Sequence, residues 1–303
     1  MPDIICLGEA MVEFNQRPDG LLVQGFGGDT SNCAISAARQ DATVAYITRV
    51  GDDHFGKCLI DLWSTENIDT SQVVRNNEAS SGIYFVTHDA DGHHFSYYRK
   101  QSAAAGMSPK DISENFMSQA KILHVSAISQ AISSSATDTV FHAIEVANQN
   151  HTKVAYDTNL RLNLWPLDRA RATIHEAMKH CQIALPSYDD AQVLTGLNEP
   201  DDIADFYLKL GAETTVLKLG SRGVLVATHE KRQMIDAISV NSVDATGAGD
   251  TFAGALLAEH CTGKNLFEAA QHANIAAALS TTRSGAVNAI PTRQQVEAFL
   301  MDQ

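Results

Sequence analysis

The chain of 303 residues contains no run of apolar residues long enough to cross a bilayer, for which about 18 are needed. Its first residues, MPDIICLGEAMVEF, lack the basic and then long apolar stretches of a secretory leader. A cytoplasmic protein is expected. Disulfide chemistry is also missing: Cys6, Cys33, Cys58, Cys181 and Cys261 are scattered, odd in number and free of any C-x-x-C pair, which indicates neither a disulfide framework nor a zinc knuckle. Positive charge is scarce, with 22 Lys and Arg against 36 Asp and Glu and a formal net charge of −14. Nucleic-acid backbones and anionic membranes are bound through basic patches, so this balance argues against both and favours a small-molecule partner. No G-x-x-x-x-G-K-[ST] occurs, and Gly247-Ala-Gly-Asp-Thr-Phe breaks G-x-G-x-x-G at its third glycine. A P-loop and a dinucleotide-binding dehydrogenase are thereby disfavoured. Twelve histidines are present, but none forms an H-x-x-x-H pair on a helix, and the group around His88, Asp89, Asp91, His93 and His94 straddles an expected turn. A dedicated transition-metal site is not expected.

What the sequence does contain is an alternation of short β-branched runs with amphipathic stretches. Ile4–Leu7 and Val44–Val50 read as buried strands flanking a helix over Ser31–Arg39. Further strands are expected near Ile122–Val125, Val154–Tyr156, Ile183–Leu185 and Thr215–Leu217, each followed by a helical pattern. This rhythm predicts an α/β fold, a mostly parallel sheet between helices, with ligands at strand C-terminal ends. Two extended runs, Ser81–Thr87 and His94–Arg99, flank Asp91-Gly92 and interrupt the rhythm as a hairpin. Val224–Ile235 reads as a second hairpin, and three helices are expected after Ala248, Leu266 and Thr292. A single domain over 1–303 is expected, with a small β-lid built from parts of 10–27 and 71–100.

The most informative stretch is Asp244-Ala-Thr-Gly-Ala-Gly-Asp-Thr-Phe-Ala-Gly-Ala-Leu256, where a glycine-rich turn runs into an apolar helix. Gly247 and Gly249 allow a tight turn and close approach of a ligand. The N–H groups of Gly247, Ala248, Gly249 and Asp250 at a positive helix end suit developing phosphoryl charge. A carboxylate there would repel phosphate, but it is well placed to take a proton from an attacking hydroxyl. On spacing alone, Asp250 serves equally well as an ordinary complement to the helix dipole.

Four segments together decide between these readings. Asp244–Leu256 resembles the C-terminal signature of the ribokinase-like (PfkB-type) carbohydrate kinases, and Gly27-Gly28-Asp-Thr-Ser-Asn32 resembles their glycine-pair motif. Arg49-Val-Gly-Asp-Asp-His-Phe-Gly56 is similar to the family segment after the second strand, and Lys218-Leu-Gly-Ser-Arg-Gly223 to its nucleotide-binding turn. They occur in family order over nearly the whole chain. The resemblance implies a ribokinase-like fold with a lid over the sugar, ATP and Mg²⁺ as cofactors, Asp250 as catalytic base, and Gly247, Ala248 and Gly249 as an anion hole. By the same resemblance Gly28, Asp29 and Asn32 face the sugar, while Asn159, Ser187, Lys218, Gly220, Gly223 and Asn274 face the nucleotide. Pro186-Ser-Tyr-Asp-Asp190 stands where the family has Asn-x-x-Glu; Ser187 replaces Asn, and the shorter Asp190 retains an oxygen ligand for Mg²⁺, acting through water. Asp244 and Thr246 match the part of the motif near a monovalent-cation (K⁺) site in some members.

Within the family, Gly28-Asp-Thr-Ser-Asn32, Tyr97-Tyr98-Arg99 and Asp157-Thr-Asn-Leu-Arg-Leu-Asn-Leu-Trp165 look most like 2-keto-3-deoxygluconate kinases. Arginines on the lid hairpin and at a strand end suit an anionic substrate, because guanidinium pairs with carboxylate in a charge-assisted geometry. Arg99 and Arg161 are therefore expected to read a carboxylate, and Tyr84 and Tyr98 to supply walls and hydroxyls. Strand alternation puts Tyr97 and Arg99 on one face and Tyr98 on the other, which ranks Arg99 above Tyr98. Kinases of neutral sugars such as fructose or ribose, and a sugar-binding regulator without catalysis, are the competing expectations. An exposed lid strand would also allow a homodimer.

Overall fold

A computed structural model describes residues 1–89 and 92–301. Its strands are β1 Ile4–Leu7, β2 Met11–Gln16, β3 Leu22–Gly27, β4 Val44–Gly51, β5 Val73–Asn76, β6 Gly82–Asp89, β7 Gly92–Tyr98, β8 Ile122–Ser126, β9 Lys153–Asp157, β10 Ile183–Leu185, β11 Thr214–Lys218, β12 Val224–Ala227 and β13 Arg232–Ile235. Among the described residues nine of them form one sheet, ordered β13-β12-β11-β10-β9-β8-β1-β4-β5. All pairs are parallel except β11–β12 and β12–β13, the hairpin expected at 224–235.

The strands are apolar on both faces because both faces are covered. Ile4 and Cys6 of β1 join one core with the helices Asp29–Arg39, Ala248–Cys261 and Leu266–Ser280. Ile5 and Leu7 point the other way, into a core shared with the helices Ser134–Gln149, Leu167–Met178 and Pro200–Leu210. Side chains alternate across a strand, so a continuous apolar run is what a sheet sandwiched between two helix layers requires.

A second sheet, ordered β3-β2-β6-β7, stands apart. Its strands come from 11–27 and 82–98, and β6 and β7 pair antiparallel. Gly92 has φ +118°, as a tight turn needs, while Asp91 lies outside the described residues. Val73–Asn76, inside the range expected to contribute to the lid, instead extends the large sheet beside β4.

The Arg49–Gly56 segment of the family resemblance has a structural task. Arg49 pairs with Asp111 at 2.7 Å. Asp53 caps the helix His54–Thr65 through the Gly56 N–H at 2.7 Å and also accepts from the Ser81 N–H at 2.8 Å. One carboxylate thus fixes a helix start and the approach to β6, satisfying donors that would otherwise be orphaned.

Candidate active site

The C-terminal ends of β9, β10 and β11 open, with the small sheet, onto a cleft of about 1160 Å³. This is where open parallel sheets leave backbone and loop groups free for ligands. Its floor is the start of the helix Ala248–Cys261. Gly247 adopts φ +75°, and a Cβ there would sit 3.1 Å from the Ala286 Cβ, so the turn needs glycine on both counts. Gly249 differs from the expectation: it is not in the left-handed region, and a Cβ there would lie 3.6 Å from the Lys218 Nζ, ordinary contact. The four-donor anion hole also shrinks, because the Ala248 N–H donates to the Ala245 carbonyl at 3.2 Å. Among the described residues no backbone acceptor faces the N–H groups of Gly247, Gly249 and Asp250, which leaves three donors at the helix start with the Lys218 ammonium beside Gly249.

Asp250 lies in this first turn and accepts from the Asn32 Nδ2 at 2.8 Å. Burial and, next, the neighbouring Asp29 carboxylate push its pKa up to about 7, against the Asn32 hydrogen bond and the Lys218 charge. A carboxyl poised near neutrality suits a base that must accept a proton from an alcohol. Asp29 is buried; its Oδ2 accepts from the Asn159 Nδ2 at 3.0 Å and its Oδ1 has no partner. Asn159 is held in turn by Asp157, whose Oδ1 accepts its N–H at 3.2 Å and whose Oδ2 binds the Lys218 Nζ at 2.5 Å. Asp157, quoted in the sequence only as the head of its segment, thus links β9 to β11.

Several expected site residues do other work. Asp190 lines the cleft, but its Oδ2 accepts from the Leu160 N–H at 3.0 Å, and burial raises its pKa. It braces the loop after β9. Both oxygens of Asp244 are engaged, by the N–H groups of Thr246 and Gly285, each at 2.9 Å. Gly223, with φ +94°, is off the cleft, and a Cβ there would strike the Ile235 carbonyl at 2.0 Å; the β12–β13 crossing requires it. Asn274 is also off the cleft, donating to the Asp236 carbonyl at 2.8 Å. Ser187, Gly220, Thr246, Asn159 and Arg161 line it.

The small sheet forms the opposite wall. Tyr84 lines it from β6, and its hydroxyl donates to Glu13, so toward the cleft the phenol retains acceptor capacity only. A Cβ on Gly27 would meet that hydroxyl at 2.2 Å, which explains the first glycine of the pair; Gly28, at φ +124°, passes under the Glu9 carbonyl. Tyr98 is 65% exposed and off the cleft, its ring edge-on to Phe85, whereas Tyr97 and Arg99 face in. Strand alternation decides this, and no bulge overrides it. Glu9, which the sequence reading did not single out, is buried against Arg99. Only distance in the chain hid it: 90 residues separate a carboxylate from its cation.

Comparisons with known proteins agree with this geometry. Residues 1–293 match the pfkB family of carbohydrate kinases. The chain is 32% identical over 316 residues to the 2-dehydro-3-deoxygluconokinase of Thermoproteus tenax, covering 99% of this chain and 94% of that one. It is 30% identical over 316 residues to the probable fructokinase-7 of Arabidopsis thaliana, covering 98% and 92%. Among solved structures, fructokinase from Vibrio cholerae O395 in a fructose, ADP and calcium ion bound form superposes with a TM-score of 0.90 at 27% identity, covering 98% of this chain and 99% of that one. The large parallel sheet between helices is the ribokinase-like fold, and the chain belongs to the pfkB family of carbohydrate kinases.

Proposed function

We propose that the protein phosphorylates a small sugar acid, 2-keto-3-deoxygluconate, at its terminal hydroxyl, using ATP and a divalent cation. The observation that carries this reading is that Arg99 and Arg161 line the same cleft as Asp250 in a strongly acidic chain. Guanidinium groups there pair with a carboxylate, which a neutral hexose lacks. Bound ATP supplies the phosphoryl group, and the metal neutralises its charge. The chain's own contributions are the open N–H groups of Gly247, Gly249 and Asp250, the Lys218 ammonium, and loop donors around Ser187 and Gly220, a set that suits an anionic nucleotide. Asn32 and the unpartnered Asp29 Oδ1 accept or share hydroxyl protons of the sugar, and Asp250 takes the proton of the attacking hydroxyl. The small sheet acts as a lid that excludes water. Its edge strands expose Leu22, Val23 and Phe95, and pairing of two copies through this sheet is the assembly to test by sedimentation.

A second reading, a neutral-sugar kinase, is favoured by one observation: Arg99 already has a counter-charge in Glu9. A coupled assay with ATP, Mg²⁺ and a panel of 2-keto-3-deoxygluconate, fructose and ribose separates the two. A higher kcat/KM for the acid supports the first reading; preference for a neutral sugar overturns it. Ligand-dependent thermal stabilisation without ATP consumption on any sugar would leave only a binding protein.

A further inference from the structure

Glu9 sits where the two sheets are joined. It follows the end of β1, and its carboxylate is 1% exposed beneath the small sheet. Oε1 accepts from the Ser102 hydroxyl at 2.9 Å, just beyond the exit of β7. Oε2 lies against the Nη2 of Arg99, whose side chain is 11% exposed. The pair is in close contact, and Glu9 Oε2 and Arg99 Nε and Nη2 are all buried. Small residues make room for it, since a Cβ on Gly82 would come within 3.2 Å of Oε1 and one on Gly28 would strike the Glu9 carbonyl at 2.4 Å. The other ionisable groups bearing on Glu9 are Asp29 and the Tyr46 phenol.

We propose that Glu9 is the specificity-determining partner of Arg99, and that a sugar acid pairs with the cleft-facing side of Arg99 with uptake of one proton by Glu9. The inference rests on the sugar-acid reading of the substrate. Arg99 lines the cleft while its Nη2 is turned to Glu9, so a substrate carboxylate makes its charge-assisted contact on the side of the guanidinium away from Glu9. A substrate carboxylate placed there brings a second anion near buried Glu9, and two carboxylates at such a site cannot both stay ionised cheaply. Burial already favours the protonated form of Glu9, with Arg99 opposing it, so a proton from solvent is the available relief. A neutral sugar needs no such proton, because it brings no second anion to the pair.

Calorimetric titration of the full chain with 2-keto-3-deoxygluconate in two buffers of different ionisation heat counts the protons. Proton uptake on binding of the acid is expected, approaching one per acid bound where Glu9 of the free protein is ionised, with the apparent Kd rising by up to roughly tenfold per pH unit over that range. Fructose should bind with none. In Glu9→Gln, which keeps the size and a Ser102 partner, uptake should vanish and the pH dependence flatten. Binding of the acid without uptake by the parent, or equal uptake by parent and Glu9→Gln, overturns the role of Glu9 while leaving the substrate reading standing. If Glu9→Gln does not fold, Glu9→Asp and the parent count still decide. No binding of the acid at all refutes the substrate reading, and this inference with it.

Discussion

The two walls of the cleft are built on opposite principles. The floor, Gly247–Asp250, is contiguous in sequence: a turn, three open N–H groups and one carboxylate at a helix start. The small-sheet wall is assembled from pairs far apart in the chain, Arg99 with Glu9 and Tyr84 with Glu13. Transferring a phosphoryl group is chemistry common to many substrates and needs only a local device. Recognising one substrate requires charges and hydroxyls balanced across the cleft, and such balance comes from tertiary contacts.

The sharpest way to break this comparison is at the floor. Asp250→Asn should lose roughly 10²- to 10⁴-fold in kcat while nucleotide binding persists, the usual range for removing a general base. Turnover within threefold of the parent would end the assignment. In the parent, kcat should fall as pH drops below about 7, because the base works ionised and burial with Asp29 holds its pKa there. Asp29→Asn removes one of the raising charges, so the acid limb should move to lower pH; an unmoved limb would show that Asp29 does not set it.

At the other wall, Arg99→Ala should cost the acid substrate about 1.5–3 kcal/mol, or one to two orders of magnitude in kcat/KM, and cost a neutral hexose little. An equal loss for both would place Arg99 in lid structure. Arg161→Ala is expected to weaken both substrates, since Arg161 lines the cleft and its charge bears on Asp190, in the same cleft-lining segment as Ser187.

Within the floor, glycine positions can be set against each other. Gly247→Ala forces a side chain into φ +75° and against Ala286, costing about 1–2 kcal/mol of strain. Gly249→Ala meets only ordinary contact with Lys218 and should be the milder variant in kcat. The reverse order would show that close approach at Gly249 matters more than backbone conformation at Gly247. The smallest effect is conformational: sugar binding should slow amide exchange in β6 and β7 and leave β8 unchanged. Identical exchange in β6 with and without saturating sugar would argue against closure.

The fold was legible because its causes are local. Ile4–Leu7 and Ile183–Leu185 are uninterrupted apolar runs, and only strands buried on both faces tolerate them. The hairpin and the last helices were likewise marked by turn residues and apolar periodicity. β5 was less legible: Val73–Asn76 is short and half exposed, and its pairing with β4 depends on where the intervening helix lets it return. At the site, Asp250 and Gly247 were readable from one glycine-rich segment. Gly223 and Asp244 fitted their motifs equally well, yet contacts with Ile235 and Gly285 define their surroundings.

What the sequence alone determined was the layered α/β plan and the glycine-rich turn into the helix that carries Asp250, because strand burial and helix-start geometry act over a few residues. Only the tertiary structure decided that Ala248 lacks a free donor and that Arg99 comes with Glu9. The charge an arginine offers a ligand depends on the anions beside it, and these are brought there by folding.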